Sequence, residues 1–184
     1  MAIKLCKIAI GSVIAAVIII LDQVIKNIVV KNMTPGDSIP IIPDFLSITY
    51  RQNTGIAFSL FENAPTIIFV ILSILIIIGL FLFLKPYLTY LPATVFFALI
   101  TGGALGNMID RVRRFDEYLE KNFVVDYINF HFFPTFNLAD ICICIGIFLL
   151  VIYILFIETK YSIKTTNKDT NPASLDADNS DFKG

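Results

Sequence analysis

Asp140-Ile-Cys-Ile-Cys-Ile-Gly-Ile-Phe-Leu-Leu-Val-Ile-Tyr-Ile-Leu-Phe-Ile157 decides the class of this chain. From Ile141 to Ile157 there is no charge, and with its flanks the stretch is long enough to cross a bilayer. Asp140 stands at its mouth, at a lipid boundary where an ionised carboxylate is costly and where an acid is read as functional by default. The residues just before it, Val124-Val-Asp-Tyr-Ile-Asn-Phe-His-Phe-Phe-Pro-Thr-Phe-Asn-Leu-Ala-Asp140, carry a second acid, Asp126. Pro134 and the aromatic residues between the two acids suit a loop that folds back, so the carboxylates can meet.

Composition agrees with a membrane chain. Of 184 residues, 57% are hydrophobic, and the mean hydropathy is +0.80, too apolar for a soluble domain. A net charge of −1 and scattered basic residues leave no footprint for nucleic acid. Three cysteines do not make a disulfide framework, since Cys142 and Cys144 turn to different faces of one helix. The first apolar segment runs straight into Asp22-Gln23 without a small-residue cleavage pattern, so it is expected to be retained.

Outward from this stretch, the sequence predicts an all-α polytopic membrane protein. Its four transmembrane helices cover about residues 8–30, 66–84, 92–111 and 137–158. A small β-rich extramembrane platform, residues 32–63, lies between helices one and two. Residues 112–136 form a loop, 1–160 one domain, and the Ser-, Thr-, Asn- and Asp-rich segment 161–184 a disordered tail. Pro35-Gly36, Pro40 and Pro43 break any helix in the platform, and Phe45-Leu-Ser-Ile-Thr-Tyr50 alternates like a strand. Asn53-Thr-Gly-Ile-Ala-Phe58 suits a turn that brings backbone amides to a ligand, or a plain hairpin turn. The 14 Lys and Arg residues divide evenly between the two membrane faces, so charge bias does not orient the chain.

Polar residues inside the spans are few and clustered. Asp22, Gln23, Lys26 and Asn27 share one face at the end of helix one; Asp22 and Lys26 form either a pair at the membrane surface or a support facing the bundle. Gly102 and Gly106 make a small-xxx-small contact in helix three, with Asn107 and Asp110 beside it. Asp110-Arg111 is either an ion pair ending that helix or part of a site. The charged segment 113–122 reads as solvated and outside the site. Asn137 and Asp140 repeat the spacing of Asn107 and Asp110. Asp22, Lys26, Asn53, Asn107, Asp110, Asp126, Asn137 and Asp140 sit at the same end of their helices or in the loops joining those ends, so they converge on one membrane face. One histidine excludes a multi-histidine metal site, no histidine lies near the cysteines, and no Ser-x-x-Lys spacing occurs. What remains is an acid pair that shares a proton, one carboxylate activating water while the other protonates the leaving group.

Asp22-x-x-x-Lys26, Asn53-x-Gly-x-Ala-Phe58, Gly106-Asn-x-x-Asp-Arg111, Val124-Val-Asp126 and Phe136-Asn-x-Ala-Asp140, in this order on four hydrophobic segments, closely resemble the lipoprotein signal peptidases (signal peptidase II). The resemblance implies an aspartic endopeptidase that needs no cofactor and cuts diacylglyceryl-modified prolipoproteins before the lipid-modified cysteine. It implies that Asp126 and Asp140 match the catalytic pair. Asp22, Lys26, Asn53, Gly55, Asn107, Asp110, Arg111 and Asn137 match residues that bind substrate or support the site. It further implies a monomer in contact with membrane lipid, in the bacterial inner or plasma membrane, with termini in the cytoplasm and the acids at the outer face. Segment 113–122 is longer than the family's usual link. The alternative from another class is a small proton-coupled transporter or channel subunit, with Asp22, Asp110 and Asp140 as relay. The acid-pair chemistry predicts that a chelator leaves peptide release unchanged; activity lost to a chelator and restored by zinc would contradict it.

Overall fold

The computed structural model describes residues 2–55, 65–85, 87–88, 90–117 and 121–170. In chain order these are helix α1 (Ala2–Asn32), strands β1 (Ser38–Ile42) and β2 (Leu46–Asn53), helices α2 (Thr66–Leu84) and α3 (Leu91–Arg113), strands β3 (Phe115–Asp116), β4 (Lys121–Asn122) and β5 (Val124–Phe130), and helix α4 (Leu138–Thr170). Four helical stretches are long and apolar enough to cross a membrane: Leu5–Asn32, Thr66–Leu84, Leu91–Arg113 and Leu138–Phe156. The chain divides into two compact units, Met1–Ile147, which holds the sheet and the polar residues, and Phe148–Gly184.

The helices start and pack for local reasons. Tyr90 in extended conformation precedes α3, and Pro92 occupies its first turn, where a missing N–H costs nothing. Small residues then let α1 and α3 approach closely. A Cβ at Gly102 would lie 3.2 Å from the Ala15 backbone and one at Gly106 only 2.7 Å from Asp22 Oδ2, so close packing and the placement of an acid depend on the same glycine pair. Of the four, α2 is the least covered by the rest of the protein and α3 the most. That order follows composition, since α2 carries no charge and α3 carries the glycines.

The sheet corrects one expectation. Its order is β1-β2-β5, all antiparallel, so only two strands come from the segment between α1 and α2. The third, β5, lies within the stretch 112–136 that the sequence assigns to a loop. Its first four residues are buried on both faces, so the period-two alternation that marks a half-exposed strand is missing. Tyr50, Val125 and Tyr127 pack with Val29 of α1 and Phe123 into a small core that fastens the sheet to the helices. The Tyr127 hydroxyl accepts from the Leu138 N–H at 3.1 Å, tying β5 to the start of α4.

Between α3 and β5 the charged segment forms a hairpin, with Phe115 opposite Asn122 and Asp116 opposite Lys121. Its base is closed by Phe123 N–H donating to the Arg114 carbonyl at 3.2 Å. Residues 118–120 lie outside the described residues, as do 56–64, the second half of the Asn53-to-Phe58 motif. A further difference concerns the tail: α4 continues to Thr170, ten residues into the segment that composition assigns to disorder, because extending a formed helix fixes one residue per hydrogen bond whereas starting one is costly. Residues 171–184 lie outside the described residues.

Two glycines give opposite expectations. A Cβ at Gly103 would collide with the Ala139 carbonyl of α4, a backbone atom that cannot swing away, whereas one at Gly79 would meet nothing within 4 Å among the described residues. Gly103→Ala is expected to lower the unfolding temperature in detergent sharply, and Gly79→Ala to leave it unchanged or raise it slightly, for a stability gain of at most roughly 0.5–1 kcal/mol. Equal unfolding temperatures for the two variants would contradict this packing.

Candidate active site

Asp126 lies in β5, opposite Arg51 of β2, and is 2% exposed. Asn53, at the end of β2, donates from Nδ2 to Asp126 Oδ2 at 2.9 Å. Asn137, fully buried immediately before α4, donates from Nδ2 to Asp126 Oδ1 at 2.6 Å. The same Asn137 forms a reciprocal capping arrangement with Asp140: its N–H donates to Asp140 Oδ2 at 3.1 Å, and its Oδ1 accepts from the Asp140 N–H at 3.0 Å. Asn107 of α3 donates from Nδ2 to Asp140 Oδ1 at 2.8 Å. One asparagine therefore touches both carboxylates, and every one of their four oxygens accepts one bond.

The three amides cannot turn over cheaply, because each oxygen end is also held. Asn53 Oδ1 accepts from the Gly55 N–H at 3.0 Å, Asn137 Oδ1 from the Asp140 N–H, and Asn107 Oδ1 from Lys26 Nζ at 2.7 Å. A flip would lose two bonds and set donor against donor. Burial first, and then the nearby Asp140 charge, push the Asp126 carboxyl up to about 7, against the opposing pull of the Asn53 and Asn137 bonds and the Lys26 charge.

Behind the pair lies a second layer. Lys26, Asp22 and Asp110 are fully buried; Lys26 Nζ is 2.9 Å from Asp22 and 3.1 Å from Asp110. This settles the choice left open by spacing, since the Asp22–Lys26 pair faces the bundle. Asp22 Oδ1 accepts from the Ala139 N–H at 3.2 Å, and Asp110 Oδ2 from the Val125 N–H at 3.2 Å. Each supporting acid thus grips the backbone one residue before one member of the pair. Asp110 does not pair with Arg111, its neighbour in sequence; its second cation is Arg114, at 2.8 Å, because on a helix residues four apart meet and adjacent ones do not. Gln23 Nε2 closes the layer with bonds to Asp22, the Gly106 carbonyl and Asp110.

The pair opens on a cavity of about 320 Å³ whose apolar lining includes Phe69, Leu72, Ile76, Ile143 and Ile147 and whose polar end holds Asn53, Asn107, Arg111 and the two acids. Arg111 stacks over Phe69 with its guanidinium carbon 4.5 Å from the ring centre, and it donates to the Gly55 carbonyl. Its Nη1 is buried and makes no hydrogen bond among the described residues.

All the expected site residues thus fall into one connected group. Sequence reasoning missed Gln23, Arg114 and Phe69 as members. The i, i+4 spacing from Asp110 could have revealed Arg114, which also donates to Asn27 Oδ1 at 2.8 Å. Nothing marks Phe69 within a charge-free helix. Among the described residues no group of three His, Cys, Asp or Glu side chains converges to hold a metal. The cysteines are free, Cys142 buried and Cys144 exposed.

Comparison with known proteins places these residues in context. The sequence model of the family described as signal peptidase (SPase) II matches residues 14–156. The lipoprotein signal peptidase of Halothermothrix orenii is 37% identical over 142 residues, covering 77% of this chain and 92% of its own. That of Clostridium novyi is 36% identical over 141 residues, covering 74% and 91%. A solved structure described as a bacterial membrane enzyme, obtained by the in meso method at 2.3 Å resolution, is similar with a TM-score of 0.71 at 37% identity, covering 80% of this chain and 88% of that one. A second such structure, at 1.9 Å resolution, gives 0.69 at 37% identity, covering 80% and 93%.

The buried ion cluster yields a test of its own. Lys26→Met leaves Asp22 and Asp110 uncompensated and frees the Asn107 amide, so a loss of about 3–5 kcal/mol is expected, together with loss of activity. Arg114→Met, on the partly exposed side of Asp110, is expected to cost less. Unfolding curves in detergent for the two variants check this; a Lys26→Met protein as stable as the parent would contradict it.

Proposed function

The chain belongs to the signal peptidase II family, and we propose that it cuts diacylglyceryl-modified prolipoproteins before the lipid-modified cysteine by water activated between Asp126 and Asp140. The family is one of membrane proteases acting on lipoprotein signal peptides, and four helices long and apolar enough to cross a membrane fit a multi-pass protein. The observation that carries the finer reading is Asn137, which bonds Asp126 at 2.6 Å and Asp140 at 3.1 Å and so holds one buried and one half-buried carboxyl group against one cavity.

The roles differ because the surroundings differ. Asp140 sits in the first turn of α4, where the positive end of the helix dipole and the capping N–H favour an anion, and Lys26 reaches it through Asn107. Asp126 lies on a strand, away from any helix N-terminus, and burial and the Asp140 charge push it up to about 7, so it is the member assigned the proton of the pair. In the cycle, Asp140 takes a proton from water as the water oxygen adds to the scissile carbonyl. Asp126 then gives its proton to the departing amine as the C–N bond breaks, and the new carboxylic acid loses its proton to that amine, so the signal peptide leaves as a carboxylate and the mature chain as an ammonium, while the proton Asp140 took from water passes back to Asp126. One proton remains on the pair. Arg111, whose Nη1 makes no hydrogen bond among the described residues, and Asn53 hold the peptide at the polar end, while the diacylglyceryl chains lie along the apolar side of the cavity between α2, α3 and α4.

In this reading the protein is a monomer of the bacterial inner or plasma membrane, with the acid pair at the outer face. Nothing favours the transporter alternative, because the acids gather at one end of the helices instead of being spread through the depth.

Signal-peptide release from a lipid-modified precursor by purified protein in detergent tests the proposal. Asp126→Asn and Asp140→Asn are each expected to lower turnover about 10²–10⁴-fold, with the double variant little worse than either single one. The rate should fall as pH rises through about 7, when Asp126 loses its proton, and the two limbs of the profile belong to the pair. Stability carries the same signature: a raised carboxyl contributes most below the ordinary Asp range and loses that contribution as pH climbs to about 7. The parent's unfolding temperature should therefore lose, in Asp126→Asn, a downward slope across that window. A folded single variant with near-normal turnover would end the aspartic-peptidase reading.

A further inference from the structure

Two segments that the chemistry does not use meet at the end of the sheet remote from Asn53. One is Ile39-Pro-Ile-Ile-Pro-Asp-Phe45 and the other Phe130-His-Phe-Phe-Pro134. Leu46 pairs with Phe130, and the His131 N–H donates to the Phe45 carbonyl at 3.3 Å, so the β1–β2 turn and the loop after β5 form one tip. Phe45 lies against Phe130 and Phe132, with ring centres 5.3 and 5.8 Å apart. Yet the tip is open to its surroundings: Phe132 is 75% exposed, and Ile39, Ile41, Ile42, Phe45 and Phe133 are each about half exposed. Such a contiguous apolar patch calls for a partner.

Two features identify that partner. Strand β1 is the sheet edge, but Pro40 and Pro43 lack an N–H, which blunts it against a further β-strand. And the loop runs back through Phe136, which stacks on Phe130 at 6.0 Å, to Asn137 and Leu138, the first residue of a membrane-spanning-capable helix. The tip is thus joined through a few residues of chain to the start of α4, and aromatic side chains favour the boundary between headgroups and acyl chains.

We propose that this tip is a lipid-anchoring wedge: Phe45, Phe132 and Phe133, flanked by the β1 isoleucines, dip into the leaflet beside the acid pair and fix the height of Asp126 above the acyl chains. Asp44, at a positive φ of 58°, and His131 are the polar groups of the tip, and they limit its depth to the headgroup level. Asp126 lies four residues along the same strand from Phe130, about 13 Å at 3.3 Å per residue. Strand β5 then acts as a spacer, with lipid at one end and the reacting carboxyl at the other.

The chain contains no Trp, so one introduced indole reports on the tip alone. Phe132→Trp, and separately Phe45→Trp in case the first disturbs folding, would be reconstituted in phosphatidylcholine vesicles with and without acyl chains brominated near the glycerol. Blue-shifted emission, quenched by the brominated lipid and little affected by acrylamide, is expected. Emission typical of water, or blue-shifted emission that brominated lipid leaves untouched, would overturn the wedge; the latter would mean that protein covers the patch. An Asp140→Asn background gives the same fluorescence readout, so the outcome does not depend on the catalytic reading. In a second arm, Phe132→Ser with Phe133→Ser is expected to keep turnover on a lipidated precursor in detergent and lose it several-fold in vesicles. Equal turnover in vesicles, or an equal loss in both media, would overturn the depth-setting role.

Discussion

The buried ammonium of Lys26 is the constraint on which the rest of the structure turns. Its three partners, Asp22, Asp110 and Asn107, come from two helices, and those partners in turn hold the backbones of β5 and α4. Removed from water, one cation between two carboxylates would be unbalanced; Arg114 supplies the second positive charge, and the cluster closes neutral. An ion cluster of this kind adds little net stability compared with a well-packed apolar core. What it supplies is position: a lysine that must reach three oxygens at once permits one arrangement of four elements.

That arrangement explains why amides, and not further charges, surround the acid pair. In the proposed reaction, an arginine or lysine bonded directly to either carboxylate would favour both as anions and leave no proton to donate. Neutral donors with fixed direction fill one lone pair on each oxygen and leave the other for water, substrate or the shared proton. The Lys26 charge acts on both carboxylates through space, but only Asp140 is also linked to it through an amide, Asn107. Two chemically identical side chains are thereby made unequal.

Much of this was legible in the sequence, and the reasons for the rest are physical. Long charge-free runs such as 66–84 read directly as membrane-crossing helices, because lipid imposes both length and composition. The five short motifs pointed to the family that the match over residues 14–156 shows. Burial was not legible: i, i+4 spacing is the same for Asp22–Lys26 whether the pair meets water or a neighbouring helix, and only the glycines of α3 bring that neighbour close enough to enclose it. Strand β5 was hidden because burial on both faces erases alternation, and with it went the knowledge that Asp126 stands on a rigid strand instead of a loop. Arg114 was set aside with the charged segment around it, although it belongs to the ion cluster and its neighbours face outward.

The hairpin after α3 has a consequence for how the chain can vary. Its two ends are joined at the base by the bond from Phe123 to Arg114, directly before the strand that carries Asp126, so the chain between them leaves and returns at one point, a closed bight. Lengthening such a bight costs little, about 0.6 kcal/mol for each doubling, and the added chain leaves the register of β5 with β2 untouched. A long charged segment between two site-forming motifs is therefore compatible with an unaltered acid pair. The same closure makes this hairpin a natural point for an inserted tag or reporter domain that should leave the folded unit intact.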